Sequence, residues 1–167
     1  TLAGNGYEES EIDYLVEVVN RKASLLDDLL EEEIEAPLER KEALLDKYDK
    51  AGIVELCGSF IESDSYLESD VLARLVFDRL SDSNSFQIIR SAQELARLSR
   101  DELEWFFEKG LNIHRMSWST RLKNRARGRF RKDLKKARIL DNALKFLPAN
   151  VNVQLLIESV FLKLARS

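Results

Sequence analysis

NVNVQLLIESVFLKLARS, residues 150–167, closes the chain and decides what kind of fold to expect. At 100° per residue, Val153, Leu156, Ile157, Val160 and Leu164 fall within one arc, the stripe of a helix packed on a core. Gln154, Glu158, Ser159 and Lys163 take the opposite half. Leu155 and Leu162, seven residues apart, lie in the middle of that polar half. Two readings stand: leucines exposed singly, which are common, or a face covered by a second domain or another subunit. In either case the segment is a helix, and Asn150 or Asn152 is placed to cap its first turn.

The same periodicity runs back along the chain. Ile12, Leu15, Val16 and Val19 keep helical spacing, and Leu25, Leu26, Leu29 and Leu30 follow. The acidic run EEEIEAP breaks the pattern at Pro37, a residue suited to a first helical position. A helix from Leu38 to about Tyr48 has room to continue through Ile53, Leu56 and Phe60, with Gly52 and Gly58 as weak points. SDSYLESD (63–70) reads as a polar connection, VLARLVFDRL as a short helix, and SDSNS (81–85) as punctuation before FQIIRSAQELARL. Ser99 and Glu102 form a capping box opening ELEWFFEKG, with Gly110 expected as its C-cap. Leu122 to Phe146 is basic first and amphipathic later, with Leu134, Ala137, Leu140, Ala143 and Leu144 on one stripe. No stretch alternates convincingly as a β-strand. The expected fold is an all-α helical bundle of about six to eight helices. The acidic run at 31–36 sets the expected organisation: an N-terminal helix pair over 1–35 and a C-terminal bundle over 36–167.

Composition excludes more than it identifies. The 167 residues are 44% apolar and 34% charged with only 6 Gly and 2 Pro, an ordinary helical composition large enough for one good core. No segment approaches the ~18 uninterrupted apolar residues of a membrane span, and no secretory signal opens the chain. A chain that begins at Thr1 is expected to be a piece of a longer one. The single Cys57, between Leu56 and Gly58, suits a reducing cytoplasm and reads as a small apolar filler.

Candidate chemistry is sparse. There is no G-x-x-x-x-G-K-[ST] loop for nucleotide phosphates. One His and one Cys cannot close a zinc site, and His114 reads as a helix-start or surface residue. Consecutive Glu31, Glu32 and Glu33 fan around a helix and do not form a fixed acid–base pair. The expectation is no catalytic residue, no metal and no cofactor. Trp105, Phe106, Phe107 and Trp118 are read as core in preference to a base-stacking platform.

Charge is segregated. The chain carries −4 overall, yet residues 121–138 hold ten Lys or Arg against the single Asp133, and the first fifty residues hold fifteen acids against six bases. Guanidinium groups at this density contact phosphates without reading sequence. Arg125, Arg127, Arg129, Arg131 and Lys132 are therefore candidate nucleic-acid contacts. The competing reading is a solvated charged face balanced by the acidic half.

LDNALKFLPANVNVQLLIESVFLKL (140–164) resembles the end of the C-terminal collar domain of bacterial DNA polymerase III clamp-loader subunits, delta-prime or gamma/tau-like. There, too, a helix, a short turn containing Asn and a leucine-rich final helix recur. The resemblance is carried by Asn150 and Asn152 at the turn and by Leu155, Leu156, Glu158, Phe161, Leu162 and Leu164 on the last helix. GYEESEIDYLVEVV near the start is a little like the helical lid that follows an AAA+ core. The resemblance implies a non-catalytic assembly role with the other clamp-loader subunits as partners. Leu155, Glu158, Phe161 and Leu162 would then be the subunit interface. The basic segment 121–138 departs from that pattern and leaves DNA as a further possible partner. An unrelated helical adaptor remains the third reading.

Overall fold

The computed structural model describes residues 2–123 and 127–167, with side chains left undescribed at residue 3 and over 118–129. Among these residues there are nine α-helices, two short 3-10 turns and no strand. The chain is an all-α bundle.

Local chemistry explains most of the boundaries. Helix α1 (Glu9–Val18) opens where the Glu11 carboxylate accepts from the Glu8 N–H at 2.9 Å, satisfying one donor the helix leaves orphaned. It ends at two consecutive left-handed residues, Asn20 (φ 55°) and Arg21 (φ 60°), which turn the chain into α2 (Ala23–Glu31). Helix α3 (Pro37–Lys47) begins on Pro37, whose missing N–H is no loss in a first turn. It stops at Tyr48, and α4 (Ile53–Glu62) is a separate helix. The continuous helix considered from sequence is broken because Arg79 reaches back to the carbonyls of Tyr48, Asp49 and Ala51. A guanidinium there satisfies acceptors at a helix C-terminus and complements its dipole.

The polar stretch 63–70 is a connection only as far as Ser65. Helix α5 (Tyr66–Arg79) starts there, and Ser65 Oγ accepts from the Glu68 N–H. Helix α6 (Ser85–Leu95) carries a reciprocal Asn84–Gln87 capping box, at 2.9 and 3.0 Å. Helix α7 (Arg100–Lys123) opens on the expected Ser99–Glu102 box. It does not end at Gly110. Gly110 is buried in mid-helix, where an added Cβ would intrude on the Phe77 ring. The glycine lets α7 approach α5; it does not stop the helix. Helix α8 (Arg127–Phe146) then runs back along α7, and α9 (Val153–Ala165) closes the chain under an Asn152 cap.

One core holds α3 to α9 together. Phe106 sits fully buried at its centre, with ring centroids of Phe60 at 5.1 Å and Phe77 at 4.9 Å. Trp105, Phe106 and Phe107 are all buried, so these aromatics pack the interior; the Trp118 side chain lies outside the described residues. Helices α1 and α2 add a smaller cluster built on Tyr14, Leu15, Val18, Val19 and Leu29. It includes Leu67 of α5, and Leu25, Leu44 and Tyr66 pack against both clusters. The N-terminal helix pair therefore leans on the bundle for its burial.

The α3–α5 junction carries a pH-sensitive contact. The Glu68 carboxylate accepts from Tyr48 Oη at 2.6 Å and from Lys47 Nζ at 3.2 Å. The Tyr48 hydrogen bond first, then Lys47, hold Glu68 below its usual value of 4.5, against an opposing effect of burial. A carboxyl whose folded pKa is depressed contributes stability above its unfolded pKa and loses it as pH falls through the folded one. Thermal melts between about pH 3 and 6 should therefore show a shallower acid loss for Glu68→Gln than for the parent chain. Parallel curves would remove this contact from the acid response.

Candidate functional site

Helix α9 is built to be covered on one side. Asn152 Oδ1 accepts from the Leu155 N–H at 3.1 Å, fixing the first turn. Ile157, Val160, Phe161 and Leu164 are buried, and Leu156 and Leu162 are half-buried against the same core. Leu155 stands 60% exposed. Glu158, half-buried, accepts from Gln154 Nε2 at 2.8 Å one turn earlier. Alongside, α6 packs on α9 and exposes Phe86, at 70%, and Ile89. Phe146, at the end of α8, is exposed as well.

Of the four residues read as a subunit interface, the structure leaves Leu155 open, sets Glu158 and Leu162 half-open, and withdraws Phe161. Phe161 is fully buried, its ring 6.2 Å from Phe106 and 6.4 Å from Phe77 between centroids. It falls on the core stripe with Ile157, Val160 and Leu164, at i+4, i+1 and i−3 from them, so no partner can reach it without unpacking the bundle. Leu156, expected as full core, is only half-buried.

The basic segment is partly in view. Arg125 lies outside the described residues. Arg127 and Arg129 belong to the first turn of α8, but their side chains lie outside the described residues too. Arg131 and Lys132 are exposed on the next turn. His114 is neither at a helix start nor on the open surface: it faces α8, with Nδ1 3.6 Å from Asp133 Oδ1.

The sequence reading missed a buried charge cluster among the described residues. Asp70 on α5 is fully buried, and Lys109 on α7 is 1% exposed. Lys109 Nζ lies 2.7 Å from Asp70 Oδ1 and donates to the Glu17 and Val18 carbonyls at the end of α1. Arg74 Nε binds Asp70 Oδ2 at 3.0 Å and Tyr14 Oη donates to the same oxygen at 3.4 Å. Arg74 also reaches Glu17 at 3.5 Å. Burial pushes the Lys109 ammonium below its usual value while Asp70 pulls it back up; burial, then the charge of Asp70, drives the Tyr14 phenol upward. Three donors are all that an ammonium has, and here one faces Asp70 and the others the two carbonyls. The cluster braces α1, α5 and α7. A signal was available: Asp70 and Lys109 interrupt otherwise apolar stripes, Leu67–Val71 and Leu103–Phe106–Gly110.

The remaining reactive groups are muted. Burial pushes the Cys57 thiol up to about 12, where thiolate is scarce at neutral pH. Among the described residues, no group of three or more His, Cys, Asp or Glu is placed to hold a metal ion, and no helix is long and apolar enough to cross a membrane. Compared with known protein families, curated proteins and solved structures, the chain matches none.

Proposed function

We propose that this chain is a non-catalytic assembly domain, a collar-like part of a bacterial DNA polymerase III clamp-loader subunit. It would join the other loader subunits in the cytoplasm through helix–helix contacts, without a cofactor. The observation that supports this reading is the outer face of α9: Leu155 is 60% exposed on a helix whose opposite side is core, with Leu162 two turns on and Phe86 exposed on the neighbouring helix. Exposed apolar surface on packed helices is what a helix partner covers. The partner in this reading comes from the resemblance of residues 134–165 to the collar family noted in the sequence.

The test separates folding from assembly. Leu155→Glu is the clean variant, because an exposed substitution moves stability by less than ~0.5 kcal/mol. Adding Leu162→Glu carries a folding cost, since Leu162 packs partly on the core. Leu155→Glu is expected to melt like the parent and to lose co-purification with the other loader subunits, because it would desolvate a carboxylate without a partner. Normal melting with intact co-purification would make the leucine idle surface and sink the reading.

The second reading rests on Arg131 and Lys132, exposed on α8, which would contact DNA phosphates together with Arg125, Arg127 and Arg129. Such binding is weak, sequence-tolerant and steeply salt-dependent.

A further inference from the structure

A groove of about 450 Å³ lies between the end of α1, the middle of α5 and the middle of α7, within the ~300–1,000 Å³ range of small-molecule sites. Four cations line it, Arg21, Arg74, Lys109 and Arg115, against one carboxylate, Glu17. The inner charges cancel: Lys109 and Arg74 are matched by Asp70 and Glu17. Arg21 and Arg115 have no carboxylate within ion-pair distance among the described residues, and both are exposed; Arg115 is partly balanced at longer range by Asp141 of α8, whose carboxyl its charge helps to hold down.

The wall between them is preformed. Asn20, in the left-handed turn with Arg21, donates through Nδ2 to the Trp105 carbonyl at 3.1 Å and accepts from Asn112 Nδ2 at 3.3 Å. These bonds fix the loop that carries Arg21 against the helix that carries Arg115, so little ordering remains to be done on binding. Ile113 and the 40%-exposed Met116 give one side of the groove an apolar surface. Two guanidinium forks suit a tetrahedral dianion, which can accept bidentate hydrogen bonds from both. An apolar wall beside them suits the body of a small organic ligand.

We infer that this groove binds a small phosphate monoester, its phosphoryl group between Arg21 and Arg115 and its organic part against Ile113 and Met116. Its described lining comes from α1, α5, α7 and the turn after α1, and includes no residue of α9.

The experiment is a titration of the whole chain with AMP, and separately with inorganic phosphate, followed by backbone and side-chain amide NMR at ionic strength held constant with sodium chloride. The expected result is a saturable shift of the Asn20 and Asn112 amides, with AMP binding at least ~3-fold tighter than inorganic phosphate. Arg21→Gln with Arg115→Gln should weaken AMP by tenfold or more. If the ligand-free spectrum of the double variant is perturbed, Arg115→Gln alone, an exposed position on α7, serves with an expected loss of at least ~3-fold. Shifts that never saturate, that chloride reproduces, or that the Arg115 variant leaves unchanged would overturn the inference. So would a ten-nucleotide oligothymidylate that produces the same shifts at lower concentration than AMP, since the groove would then be a nucleic-acid contact.

Discussion

Asp70→Ala is expected to lower folding stability by ~3–5 kcal/mol, the usual cost of leaving a buried charge without its partner. The carboxylate takes the Lys109 ammonium at 2.7 Å and the Arg74 guanidinium at 3.0 Å, and all of the Asp70 side chain is inside the protein. Without it Arg74 keeps Glu17, but Lys109 keeps only two carbonyls. Burial already pushes Lys109 below its usual value, and Asp70 is the largest influence opposing that shift. Its loss must push the lysine further down. A basic group whose folded pKa is depressed binds fewer protons in the folded state than in the unfolded one, so stability rises with pH between the two values. Urea unfolding of Asp70→Ala should therefore show a deficit that shrinks from pH 7 towards about pH 9.5. The double variant Asp70→Leu with Lys109→Met should be more stable than Asp70→Ala, because removing both charges leaves no ion stranded. A single-variant cost under ~1 kcal/mol would mean the cluster is solvated and braces nothing.

That brace shows where sequence reading stops. Helix content was legible because apolar spacing is local, and so was the Ser99–Glu102 box; the last cap narrows to Asn150 or Asn152, of which Asn152 takes the role, and in each case the partner lies three residues away. The errors share a cause in contacts between distant residues. Gly110 has the composition of a stop signal, but its missing Cβ answers to Phe77 on another helix. Residues 63–70 look like a loop by polarity, yet Asp70 is polar because Lys109, 39 positions on, is waiting for it. The break at Tyr48 depends on Arg79, 31 residues away. No window short enough to read periodicity contains those pairs.

The candidate interface was legible in part for the same reason. Leu155 emerged from the wheel, with Leu162, as an apolar residue on a polar half, and it is the exposed large apolar residue of α9. Phe161 entered through likeness to a leucine-rich helix end; the wheel assigns it to neither the core arc nor the polar half, and the structure buries it. Leu156 and Leu162, read on opposite sides of the wheel, are both half-buried, because the bundle covers more of α9 than one arc.

Phe161→Ala puts a number on that difference. Phe161 is buried against Phe77 and Phe106, at 6.4 and 6.2 Å between ring centroids. Truncation removes a phenyl ring from a site lined by Phe77 of α5 and Phe106 of α7, which are packed on other aromatics as well. The transfer and cavity terms add, and the expected loss is ~3–5 kcal/mol by urea unfolding. Phe161→Leu keeps most of the volume and should cost much less, under ~2 kcal/mol. Leu155→Ala, six residues earlier on the same helix, should stay within ~0.5 kcal/mol. If Phe161 belonged to a subunit contact, the ordering would invert: the isolated chain would tolerate its loss and assembly would not. Equal, small effects at both positions would mean that α9 is not docked on the bundle in solution. The outer face of α9 would then have no core side to be opposite to, and the proposed collar surface would lose its physical basis.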